Sequence, residues 1–119
     1  MSKIVFVGEK RSPTAVRKGW TWKDGRLAAK QLFDAFEAID FNPGQAVFVN
    51  LFETGGMKFV RFARKLDVPV VAMGRKVQQE LERSGLQFTP MVHPAARGKI
   101  RRKDLYIEHV RSVMQQVRA

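Results

Sequence analysis

The stretch KIVFVGEK, residues 3–10, sets four apolar side chains in a row, Ile4 to Val7, and then stops at a glycine and two charges. A strand with one wet face alternates apolar and polar residues. An unbroken, β-branched run reads instead as a strand covered on both faces, the situation in a parallel sheet. Three further runs share that form: AVFVNLF at 46–52, VPVVAMG at 68–74 and LQFTPMV at 86–92. The segments between the runs are long enough for crossovers. Over 25–39, Leu27, Ala28, Leu32, Ala35, Phe36 and Ile39 recur at three- and four-residue steps, and over 56–66 Phe59, Val60, Ala63 and Leu66 do the same. Val77 and Leu81 mark a helix over 75–84, and Tyr106 or Ile107, Val110, Val113, Met114 and Val117 mark one over about 103–117.

This alternation predicts a three-layer α/β/α domain, a four-stranded parallel sheet in the order 2-1-3-4 with helices on both faces. Pro90 cannot donate to a ladder, so the fourth strand is placed at an edge. No internal repeat is visible. Residues 9–24, EKRSPTAVRKGWTWKD, read as one long irregular loop, and in so small a domain a loop of that length is usually functional.

With 119 residues, 45% of them hydrophobic, the chain is expected to form one domain, 1–119, and a monomer. Lys and Arg number 22 against 11 Asp and Glu, a formal charge of +11, and the pI is about 10.8. Such a balance favours a polyanionic partner, nucleic acid first. A membrane-surface role is not expected, because the most basic stretches are interrupted by glycine and proline. The absence of cysteine removes disulfides, thiolate metal sites, cysteine nucleophiles and cysteine-held iron–sulfur clusters together. The apolar run at the N-terminus is too short for a signal-peptide core or a membrane span, so a soluble, cytoplasmic protein is expected.

Ligands of open parallel sheets bind outside the carboxyl ends of the strands. Here those ends carry Gly8-Glu9, Asn50-Leu51-Phe52-Glu53, Met73-Gly74 and His93-Pro94, which puts a carboxylate, an amide and an imidazole on one rim. Breaking an N-glycosidic bond needs an anion near the developing sugar cation and a donor near the departing base; Glu9 and His93 can supply them. An amide such as Asn50 can donate and accept along the edge of a flipped base. No phosphate-cradling glycine motif follows the first strand, and His93 and His109 lack ligand-spaced companions. Neither cofactor nor metal is expected. Trp20 and Trp22 stand among Lys10, Arg11, Arg17 and Lys18, the interleaving that base stacking and phosphate neutralisation require. One of the pair is expected to anchor the loop and the other to remain available. After His93, MVHPAARGKIRRKD (91–104) carries Arg97, Lys99, Arg101, Arg102 and Lys103, cations suited to phosphates flanking the base and unfavourable for the helix dipole they precede.

In order along the chain, VGEKRSPTAVRKGWTWKDGRLAAKQLFDAF, VFVNLFE, VVAMGRKVQQEL and MVHPAARGK resemble the successive blocks of the uracil-DNA glycosylase superfamily. The resemblance implies that family's fold. It matches Gly8-Glu9 to the first motif, with Glu9 the carboxylate that positions water or stabilises the cationic sugar. It puts Trp20 where the family has its base-stacking aromatic, Asn50 where an amide reads the uracil edge, and His93 where an imidazole binds the departing base. The chain departs from the pattern at Lys10-Arg11-Ser12-Pro13, where the family has a small Ala-Pro-Gly stretch, and at Ala95, which replaces a serine. The expected function is a DNA glycosylase that flips a uracil-like or modified pyrimidine and hydrolyses its glycosidic bond. Lys10, Arg11 and Ser12 join the cations of 97–103 as expected phosphate contacts. Two alternatives remain open: a catalytically inactive DNA- or base-binding module on the same fold, and a basic protein-interaction or inhibitor protein.

Overall fold

A computed structural model describes residues 3–118. Four parallel strands, β1 (Ile4–Gly8), β2 (Ala46–Asn50), β3 (Val70–Met73) and β4 (Thr89–Met91), lie in the order β2-β1-β3-β4, as expected. The register sets Gly8 beside Asn50 and Met73 beside Met91, so the strand ends that carry polar groups finish level with one another. Pro90 sits within β4, which among the described residues pairs only with β3 and so has a side that needs no proline N–H.

The helices are α1 (Pro13–Lys18), α2 (Ala28–Ala38), α3 (Gly56–Lys65), α4 (Arg75–Arg83) and α5 (Lys103–Arg118). Residues 9–24 are therefore not one irregular loop. Ser12 accepts from the Ala15 N–H at 3.2 Å, Pro13 takes the first turn, where no backbone donor is needed, and Gly19 closes α1 at φ 71°. A 3₁₀ turn at Trp22–Asp24 follows, its Asp24 carboxylate accepting from the Thr21 N–H at 2.6 Å.

The sheet separates two apolar layers. On one side Phe6 meets α2 and α5 through Leu32, Phe36, Tyr106 and Val110; on the other Val5 and Val7 meet α3 and α4 through Val60, Ala63, Val77 and Leu81. The first layer is aromatic: Phe6 lies 5.2 Å from Phe36 and 5.7 Å from Phe48, and Phe36 lies 4.8 Å from Phe41, ring centre to ring centre. The second is aliphatic. Gly56 is required by close approach, since a Cβ there would fall 2.2 Å from the Asn50 carbonyl oxygen at the start of α3.

Two contacts fix the far strand. Gln78 of α4 donates to the carbonyls of Ala72 and Met91 at 3.1 Å each, tying β3 to β4. From α5, Tyr106 donates its hydroxyl to the Val92 carbonyl (3.2 Å) while His109 Nε2 accepts from the Val92 N–H (2.9 Å), so both polar groups of the residue before His93 are held. Among the described residues, no helix is long and apolar enough to cross a membrane.

Candidate functional site

Beyond the carboxyl ends of β1 and β2, α1 and the 3₁₀ turn enclose one side of a cavity of about 360 Å³; Trp20, Trp22, Asn50 and His93 are in its wall, with Lys10, Ser12 and Arg26 around them. That volume falls in the range of small-molecule sites.

Trp22 is the anchoring tryptophan. Its indole stacks on Phe48 at 5.5 Å with 11° between the planes, and its Nε1 donates to Asn50 Oδ1 at 2.9 Å. Gly8 makes room for it, because a Cβ there would meet Trp22 Cζ2 at 2.9 Å and Asn50 Oδ1 at 3.2 Å. The resemblance assigns Gly8 to the base; the geometry gives it a clearance role beneath the indole. Trp20 is half-buried, with the Arg26 guanidinium 5.5 Å over its ring, and it makes no such hydrogen bond.

Asn50 is held at both ends. Besides accepting from Trp22, it donates through Nδ2 to Glu53 Oε2 at 3.3 Å, which leaves one N–H and one lone pair for a ligand. Glu53 was not singled out in the sequence, yet it organises this corner. The same Oε2 accepts from the Arg11 N–H at 2.7 Å and from Arg11 Nε at 3.4 Å. Its only sequence signal is a place three residues after the strand-end asparagine, where the Glu53 N–H returns to the Asn50 carbonyl.

His93 Nδ1 accepts from the Ala95 N–H at 3.0 Å. In a neutral imidazole the proton then sits on Nε2, which makes that atom a donor. Burial holds the His93 pKa below its ordinary value, and the nearby Glu9 carboxylate pulls against that shift. Glu9 itself is not in the cavity wall; its Oε1 lies 4.0 Å from Lys76 Nζ on α4.

The cations divide. Arg97 and Arg101 line a shallow groove continuous with the cavity through Leu27, Ala28 and Ala95. Arg102 pairs with Asp104 at 3.2 Å and Lys103 with Asp34 at 3.8 Å. No ion pair among the described residues engages Lys10, Arg97, Lys99 or Arg101, whereas Arg11 is tied to Glu53 and the Ser12 hydroxyl caps α1. Leu27, between cavity and groove, is 53% exposed and holds φ 55°, uncommon for a branched residue. No three metal-ligating side chains gather among the described residues.

No protein-family model and no curated protein matches this chain.

Proposed function

We propose that the chain is a DNA N-glycosidase of the uracil-DNA glycosylase kind, which draws a pyrimidine from the duplex or strand into the cavity and hydrolyses its glycosidic bond. The observation that carries this reading is the hydrogen bond from the Ala95 N–H to His93 Nδ1: a neutral imidazole so held offers Nε2–H beside an aromatic wall.

As the C1′–N bond breaks, its electron pair goes to the base, and the His93 Nε2–H hydrogen-bonds to the oxygen that gathers the charge. The sugar becomes cationic, and the Glu9 carboxylate is the anion on that side of the rim. Water adds to C1′ and loses its proton, leaving an abasic sugar and the protonated free base. Trp20 stacks on the base, and Asn50 offers its remaining donor and acceptor to the base edge. Lys10, Arg97, Lys99 and Arg101 supply phosphate contacts that position the strand and carry no base information.

One observation favours the second reading, a base-binding module without catalysis: Glu9 stands outside the cavity wall, near Lys76. Oligonucleotides carrying uracil or another modified pyrimidine distinguish the two. The proposal expects abasic sites, revealed by alkaline cleavage, and their loss in His93→Ala. Binding that depends on Trp20 with no base released from any substrate supports the module instead. Absence of DNA binding refutes both and leaves a basic surface for a protein partner.

A further inference from the structure

On the other side of Trp22 and Asn50, which line both, α3 and the β2 edge expose a second surface. Phe59, Phe62 and Leu66 are 41%, 58% and 59% exposed, and their spacing of three and four residues aligns them in one stripe. Scattered apolar residues need no explanation, but a stripe of two phenylalanines and a leucine on one helix does. It borders the open edge of the sheet, since Phe59 shares a groove with Val47 and Val49 of β2. The Leu51 N–H bonds the Gly8 carbonyl, so at a period of two Val47 and Val49 turn their backbone groups towards β1 and Phe48 turns its own outward. Among the described residues, β2 pairs with β1 alone. A free strand edge beside an unpartnered apolar stripe is a template for an added strand.

Charge selects the occupant. Lys58, Arg61 and Lys65 are exposed on α3, Lys23 lines the groove, and none of the four has an ion-pair partner among the described residues. A second copy carries the same excess of positive charge, +11 over the whole chain, and so does not complement these cations. DNA at the cavity would leave most of the stripe uncovered, because α3 runs back from the strand ends for ten residues, about 15 Å, towards the opposite end of the sheet. A lipid surface would cover the stripe and leave the β2 edge without hydrogen-bond partners.

We propose that β2 and α3 form a docking surface for an extended acidic segment of a partner protein, which adds as a strand to β2, sets apolar residues against Phe59 and Phe62, and places carboxylates against Lys58, Arg61 and Lys23. This surface does not depend on the glycosidase reading.

The test is selection of ten-residue peptides from a random display library against the full chain, followed by fluorescence anisotropy with the selected peptide. The expected result is a consensus alternating apolar residues and rich in Asp and Glu. Phe59→Ser with Phe62→Ser is expected to weaken that peptide at least tenfold while the far-ultraviolet dichroism of the chain stays unchanged. If the double variant misfolds, Lys58→Glu with Arg61→Glu serves as the second arm, with the same tenfold loss expected. A consensus without acids, or peptide binding indifferent to both variants, overturns the proposal. So does a concentration-dependent dimer abolished by the phenylalanine changes, or binding of the wild type to phosphatidylserine vesicles lost in the same variants.

Discussion

Replacing Gly8 by alanine tests how the strand end holds the site. The added methyl would lie 2.9 Å from Trp22 Cζ2, where ordinary contact begins at 3.4 Å, so the indole must retreat by about half an ångström. It has little freedom to do so, because one face is stacked on Phe48 and Nε1 is bonded to Asn50. Overpacking of this kind costs about 1–3 kcal/mol. In a chain of this size that lowers Tm by roughly 4–12 °C. A double-mutant cycle with Trp22→Ala isolates the cause: once the indole is gone, the added methyl has room, and a coupling of about 1–2 kcal/mol should appear in urea titrations. Strictly additive costs, or a Gly8→Ala protein as stable as the wild type, would refute the clearance role.

The titration of two histidines gives a second expectation. Burial lowers the pKa of both His93 and His109 from 6.5, so just below that pH the unfolded chain binds protons that the folded chain does not. Stability therefore rises with pH in the window below 6.5 and levels off above it, each histidine contributing a slope of at most about 1.4 kcal/mol per pH unit; urea titrations from pH 5 to 8 should show this, with a shallower slope in His109→Gln. At the rim, His93→Ala and Glu9→Gln should each reduce base release by about 10²–10³ in single-turnover assays while DNA affinity changes little. Arg97→Ala with Arg101→Ala should weaken DNA of every sequence alike and reduce the salt dependence of affinity by about two contacts, whereas Arg102→Ala, already paired with Asp104, should do less. Gly56→Ala should be the costliest glycine change, because the atoms in its way, the carbonyl oxygens of Asn50 and Leu51, belong to the backbone; thermal melting checks this against Gly8→Ala.

The inner strands were legible because β1 and β3 are buried along their whole length and leave unbroken apolar runs, whereas β2 is mostly half-buried and the last run, interrupted by Gln87 and Thr89, was placed at an edge by Pro90. The short helix α1 was harder to read: its signals were local, Ser12-Pro13 before it and Gly19 after it, while only Ala15 of its residues is buried. The rim residues could be located from strand ends, but not their partners. Residue type and neighbouring charge do not separate Trp20 from Trp22, and only the resemblance assigned Trp20 to the base; packing on Phe48 and the bond to Asn50 separate them, and both arise from chain segments more than 20 residues away. Glu53 escaped for the same reason, since its work is to hold Arg11 and Asn50 after the fold has brought them together.

The two sides of the sheet are packed from different kinds of side chain. The aromatic layer runs from Phe36 through Phe6 and Phe48 to Trp22, whose ring centre is 6.3 Å from that of His93, and each ring must keep its tilt for the next to keep its place. The buried members of the opposite layer are valine, leucine and alanine, which exchange for one another at modest cost when volume is kept. Lineages descended from this chain would accumulate substitutions behind α3 and α4 and remain nearly frozen between α2 and the cavity, so the ancestry of the site would outlast that of half the core supporting it.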